Sequence, residues 1–187
     1  TTELPDGRRI LIAWMKSWDA CVIPEEQKWQ GMMTLPRELH YVNGKLYQKP
    51  VEELKKLPKK ISCRLENQEV SGTVQFDEVK GRILDLTVEI CEGVFDEFCI
   101  ELAHNQEYTT SYTYYRKKQI MEVNRTYCGV TRDIICQRAW KLPEQKEPLK
   151  LRLLWTDSLL NYLLTMGSKC LPQQSVRRWK QKRLYLL

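Results

Sequence analysis

The chain has 187 residues, 42% of them hydrophobic and 29% charged, which is enough for one domain or one and a fraction around a real core. No apolar run approaches the roughly 20 residues that a membrane span needs. Asp157, Asn161 and Thr165 interrupt the longest one, and "TTELPDGRR" lacks the apolar core of a signal peptide, so a cytoplasmic protein with no membrane partner is expected. The formal net charge of +6 lies in residues 169–187, where six Lys and Arg and no acid occur, leaving 24 basic against 24 acidic residues elsewhere. With a neutral body, no nucleic-acid partner is expected. The seven cysteines (Cys21, Cys63, Cys91, Cys99, Cys128, Cys136, Cys170) form no C-x-x-C pair and have only His40 and His104 as imidazole partners. Scattered thiols of that kind behave as small hydrophobes in a reducing compartment, so neither a metal nor a cofactor is expected.

In chain order, "RRILIAWMKSW" is an apolar run with Ile10, Ile12 and Trp14 on one face and Leu11, Ala13 and Met15 on the other. Two covered faces predict a strand inside a layered β structure. "MMTLPRELHYVNGKLYQKPV" predicts a strand and then a hairpin turning at Asn43-Gly44, the strongest short-range hairpin signal. "VEELKKLPKK" is charged and predicts a short helix or linker. Beyond it, "VSGTVQF", "RILDLTVEI", "EFCIELA", "YTTSYTYY", "QIMEV" and "LKLRLLW" are β-rich and separated by turn residues, the pattern of an all-β sandwich. No internal repeat is present, and the length excludes a complete propeller.

The segment "LRLLWTDSLLNYLLTMGSKC" begins as an alternating strand and then becomes a run of leucines with no clean period. The tail after about residue 155 is therefore left open, with helix as the alternative to strand.

"GRRILIAWMKSW", "MMTLPREL" and "GKLYQKPVEEL", in that order over residues 7–54, carry a resemblance. They are similar to the C-terminal part of family-32 glycoside hydrolases, β-fructofuranosidases of the invertase, sucrose-6-phosphate hydrolase and levanase type. Ala13 stands where the family commonly has glycine. "QIMEVNRTYCG" resembles the family's Val-Asp-Arg-x-x-x-Gly strand end, with Asn124 for aspartate and Arg125 and Gly129 retained. The resemblance implies an all-β fold: a remnant of the last blade of a five-bladed propeller in residues 1–50, a linker over 51–60, and an incomplete β-sandwich over 61–187. It also implies that the chain opens in mid-blade.

Retaining hydrolysis needs a carboxylate nucleophile and a second carboxyl as acid/base, about 5 Å apart. The family supplies them from W-M-N-D-P-N-G and E-C motifs, with R-D-P holding the sugar, and none of the three occurs here. Arg132-Asp133-Ile134 lacks the proline, and "CEG" at Cys91 reverses the acid/base motif, so no catalytic residue is assigned. Trp14 is the candidate substrate-binding residue implied by the resemblance, because indole faces stack on C–H-rich sugar faces. Trp18 and Trp29 follow it as rim candidates. Asn124-Arg125-Thr126 fits a glycosylation sequon, but without a secretion signal it is read as a strand end.

The function expected is that of a fragment of a hydrolase of β-fructosyl bonds in sucrose, sucrose 6-phosphate or fructans, whose partner is a β-fructoside sugar. The chain by itself is expected to be inactive and prone to self-association through an exposed blade and open sheet edges. The alternative is a free-standing, non-catalytic carbohydrate-binding sandwich, which would have no use for the partial blade. Residues 155–187 are further read as a frameshifted tail. Read one frame along, Trp155-Thr156 (TGG, ACN) gives aspartate and Met166-Gly167 gives glycine, the two ends of the family's closing D-R-x-S-V-E-x-F-V-N-D-G strand. Resequencing the codons for Leu153 to Thr156 is expected to expose the shift; the same uninterrupted tail in independent close relatives would defeat it.

Overall fold

The computed structural model describes residues 1–15, 28, 31, 33–57, 63–81, 83–91, 94–129, 135–142, 149–156, 159–164, 170–174 and 183–186. The strands are β1 (Thr2–Glu3), β2 (Arg9–Leu11), β3 (Arg37–Val42), β4 (Lys45–Pro50), β5 (Val74–Phe76), β6 (Ile83–Ile90), β7 (Glu97–His104), β8 (Thr110–Tyr115), β9 (Ile120–Asn124), β10 (Gln137–Lys141), β11 (Leu149–Thr156), β12 (Leu159–Leu164), β13 (Cys170–Gln174) and β14 (Arg183–Leu186). Among the described residues the only helix is a 3-10 segment, Glu52–Lys56, with acids in its first turn and lysines in its last. No helix among them is long and apolar enough to cross a membrane. The fold is all-β, with every strand pair antiparallel.

The chain divides into two units that interleave along the sequence. The first comprises Thr1–Lys59, Ile83–Cys91 and Pro148–Ser175. It holds two sheets, a meander β1-β2-β3-β4 and a second sheet in the order β13-β12-β11-β6. A four-stranded meander is the unit from which propeller blades are made. Its β3–β4 hairpin turns at Asn43 (φ 50) and Gly44 (φ 75), with Val42 opposite Lys45. Two left-handed residues in succession are what a tight two-residue turn between twisted strands demands, and Asn-Gly adopts them at least cost.

In the second sheet β11 has β6 on one side and β12 on the other. Its Leu149, Leu151, Leu153 and Trp155 are all buried, as the strict alternation of the sequence predicts. On the opposite face Leu154 packs against Leu35 and Leu54, which ties this sheet to the meander. The same face carries charge. Arg152 donates two hydrogen bonds to Asp85, at 2.8 and 2.7 Å, and Lys150 sits 3.1 Å from Glu89 directly across the ladder. These pairs compensate the acids of β6 and fix the register of two strands far apart in sequence.

The second unit comprises Lys60–Arg82, Glu92–Glu147 and Val176–Leu187, and holds one sheet in the order β10-β9-β8-β7-β14-β5. Ile100, Leu102, Tyr112, Tyr114, Met121 and Val123 are buried at alternate positions of three neighbouring strands. The intervening positions are polar: the Thr113 hydroxyl donates to Cys99 Sγ at 3.3 Å, and Glu101 meets His104 at 2.9 Å. Burial pushes the Cys99 thiol up, so it stays protonated and packs as a small hydrophobe. Cys63, Cys91, Cys128 and Cys136 likewise stand outside any disulfide.

Two expectations need correction. The tail offered helix as its alternative, and its described residues are strand: β12 pairs with β11, β13 with β12, and β14 with both β5 and β7. Strand pairing is a backbone interaction, so a leucine run without a period can still extend an open ladder. The run around Trp14 was expected to be covered on both faces. Regular strand ends at Leu11, and although Ile10 is buried, Ile12 is 47% and Trp14 51% exposed.

Candidate functional site

The surroundings of Trp14 are set by the backbone on either side of it. Beyond β2 the chain keeps company with residues 33 and 34: Trp14 and Met33 form an antiparallel bridge, and Thr34 N donates to Ala13 O at 2.8 Å. The Thr34 hydroxyl oxygen then accepts from Ala13 N at 3.0 Å and from Arg37 Nη2 at 3.4 Å. Arg37 in turn donates from Nη1 to Gln48 Oε1 at 2.8 Å. Thr34 and Arg37 are each only 4% exposed, so this chain of polar groups runs inside the unit from β4 to the residue preceding Trp14. Buried hydrogen bonds with a charged donor hold geometry strongly, because breaking one strands a polar group away from water.

The indole itself lies against Gly31. A Cβ at Gly31 would come within 2.5 Å of Trp14 Nε1 and 3.3 Å of Cε2, and the glycine has φ +97. Only glycine serves there, both for the left-handed backbone and for the close approach. The Nε1 edge of the ring therefore abuts backbone, Met33 is 54% exposed at the bridge beside it, and Trp14 as a residue is 51% exposed. A fixed, open aromatic face is the arrangement that receives the C–H face of a sugar.

A second polar cluster tethers the 3-10 segment to the meander. Arg8 donates to Glu53 through Nη2 at 2.8 Å and Nη1 at 3.2 Å, donates to Asp6 through Nε at 2.8 Å, and lies 3.7 Å from Glu38. Glu38 also meets His40 Nε2 at 2.9 Å. The paired guanidinium holds the Glu53 carboxyl down from its ordinary 4.5 to about 2. Asp6 is lowered by the hydrogen bond from Arg8 N and then by the Arg8 side chain. Neither can donate a proton near neutral pH, the opposite of what a general acid requires. Their role is structural, with a definite pH signature. The contribution is fully present above the ordinary carboxyl range and is lost as pH falls toward about 2. Glu53→Gln is therefore expected to lower the thermal midpoint at pH 6 to 7 and to match the unsubstituted chain at pH 2. A difference that grows toward acid would show the sign to be wrong.

Other candidates fare differently. Trp18, Trp29 and Arg132-Asp133-Ile134 lie outside the described residues. Asn124 closes β9, and its Oδ1 accepts from Thr126 N at 2.9 Å, the strand-end role the sequence indicates. Among the described residues no group of three His, Cys, Asp or Glu is placed to hold a metal ion. The sequence reading missed Thr34, Arg37 and Gln48 as the residues that position Trp14. Their signal was available: an arginine and a threonine inside "MTLPREL" at positions a strand would bury.

Known proteins match the chain along most of its length. The model of the glycosyl hydrolases family 32 N-terminal domain matches residues 1–50, and that of the glycosyl hydrolases family 32 C terminal matches residues 52–159. A probable sucrose-6-phosphate hydrolase of Vibrio cholerae is 30% identical over 169 residues, 89% of this chain and 28% of that protein. A raffinose invertase of Escherichia coli is 47% identical over 55 residues, 29% of this chain and 12% of that protein. The chain thus spans well under a third of the length of these curated relatives. Among solved structures, sucrose-6-phosphate hydrolase from Lactobacillus gasseri superposes with a TM-score of 0.75 at 19% identity, covering 97% of this chain and 38% of that one. A β-fructofuranosidase of Bombyx mori solved in complex with sucrose gives 0.73 at 21% identity, covering 100% and 36%. These likenesses show a shared all-β fold, and with a family match over more than half of its residues the chain belongs to glycosyl hydrolase family 32.

Proposed function

We propose that this chain is part of a cytoplasmic β-fructosidase acting on sucrose, sucrose 6-phosphate or fructans, and that Trp14 offers its ring to the fructosyl unit. Residues 1–50 then close a propeller, 51–60 connect, and 61–187 form the sandwich that braces it. The observation that carries the reading is Trp14, a half-exposed residue whose indole is held at its Nε1 edge against Gly31. The polar chain Gln48–Arg37–Thr34 behind it supports the same role, since a stacking platform must be rigid to be useful. The names of the relatives support the substrate class, and the match of residues 1–50 to the N-terminal family domain speaks against a free-standing sugar-binding sandwich.

In the intact enzyme, Trp14→Ala is expected to lower kcat/KM on a β-fructoside by about tenfold, the worth of one aromatic contact of ~1.5 kcal/mol. Trp14→Phe should keep most of it. An unchanged kcat/KM in Trp14→Ala removes Trp14 from the site, and failure of the intact enzyme on every β-fructoside removes the larger reading.

A further inference from the structure

Met33 stands directly across from Trp14. The two form an isolated antiparallel bridge, and residues opposite one another in such a pair put their side chains on the same face, with Cβ atoms about 4.5–5.5 Å apart. Both belong to the first unit, and both are about half exposed. The backbone at Met33 is nevertheless fixed. Its neighbour Thr34 is buried, donates from N to Ala13 O at 2.8 Å, and accepts from Ala13 N at its hydroxyl oxygen at 3.0 Å. An anchored main chain thus carries a half-exposed thioether beside the indole.

The two side chains differ in what they can do. The indole is held at its Nε1 edge against Gly31 and has two rotatable bonds, so it presents one fixed ring. Methionine is unbranched, with three rotatable bonds and a polarizable sulfur, and adapts to the apolar surface it meets. β-Fructosides divide along the same line. The fructosyl unit is common to all of them, whereas the group bonded to it varies: a glucosyl unit in sucrose, a further fructosyl unit in a fructan. A rigid contact suits the constant part, and an adaptable one suits the variable part. The spacing agrees, because side chains one ladder pair apart are separated by about the breadth of a sugar ring and can serve two adjoining rings.

We propose that Met33 is a specificity-determining residue, whose thioether packs on the C–H face of the leaving group, the sugar next to the fructosyl unit that Trp14 holds. The assignment rests on the reading of Trp14 as a fructosyl contact and adds the neighbouring unit to it. Met33 touches no reacting atom. It contributes only where the leaving group has a C–H face to offer, and losing a contact worth about one buried methylene changes kcat/KM about fourfold.

Two substrates separate the two residues. Sucrose, sucrose 6-phosphate and inulin all release a sugar, whereas β-fructosyl fluoride presents the same fructosyl unit with fluoride as its leaving group. In the intact enzyme, Met33→Ala is expected to lower kcat/KM about fourfold on whichever of the three sugars is turned over fastest, and to leave fructosyl fluoride unchanged. Trp14→Ala is expected to lower both about tenfold. Equal loss on sugar and fluoride in Met33→Ala overturns the assignment, because it makes Met33 part of the general packing; no loss on either overturns it by taking Met33 out of the site. Trp14→Ala without effect on either substrate is a different result, which removes the fructosyl reading on which the assignment rests. Should Met33→Ala fold poorly, Met33→Leu, close in volume and stiffer, is carried through the same pair of assays. Its sugar-to-fluoride ratio of kcat/KM is expected to fall below that of the unsubstituted enzyme, and an equal ratio overturns the proposal.

Discussion

The 187-residue chain, purified free of host hydrolases, is expected to release no fructose from sucrose, sucrose 6-phosphate or inulin. The chemistry requires a nucleophile and a proton donor held together on a rigid frame. The motifs that supply them in the family do not occur in this sequence, and the meander instead presents Asp6 and Glu53, both locked to Arg8. A carboxyl held at about 2 keeps its proton off throughout the working range, and one bound twice to a guanidinium is a poor nucleophile. Without that pair the whole enzymatic acceleration is lost, at least about 10⁶-fold. The role proposed for Trp14 concerns binding alone, so the informative comparison is turnover against binding. Turnover that co-purifies with the chain through two orthogonal columns would overturn the expectation.

Leu153→Ala should destabilise the fold by about 3 kcal/mol, within the 2–5 kcal/mol range of buried leucine truncations. Leu153 is 0% exposed at the centre of β11, opposite Leu86 on one side and Tyr162 on the other. Close neighbours on both ladders and Leu154 anchored behind it to Leu35 and Leu54 leave the site little freedom to collapse. Ile83→Ala makes the control, because Ile83 is 83% exposed on β6 and its loss should cost no more than about 0.5 kcal/mol. Urea denaturation of the two variants tests the contrast; equal midpoints would mean that β11 is not the core strand described here.

Strand β11 was also among the most legible elements. Its apolar residues recur every second position, and period 2 with charge between has one reading. The Asn43-Gly44 hairpin and β6 through β9 were legible for similar reasons, turn chemistry in one case and alternation in the others. β10 was not, because "QRAWK" has one large apolar residue and is held by backbone pairs to β9. The tail was least legible: β12 is leucine-rich without a period, and β14 is placed by partners that precede it by about 80 and 110 residues. At the candidate site the motif identified Trp14, but its exposure depended on where regular strand stops, and Gly31 gave no sequence signal that an indole would rest on it.

The pairing of β6 with β11 has a consequence for synthesis. Ile90 is made some 60 residues before its partner Leu149, about 3–12 s earlier at ~5–20 residues per second on the ribosome. During that interval β6 has no partner from its own sheet, while β7 through β9, joined by short turns, already have theirs within reach. A waiting strand invites pairing with a neighbouring nascent chain. The acids later neutralised by Arg152 and Lys150, Asp85 and Glu89, still await those two cations at this stage, so two copies of β6 meeting on the same polysome bring like charges together. The ion pairs that fix the register of the finished sheet thus begin as a repulsion that keeps its first strand single until the right partner arrives.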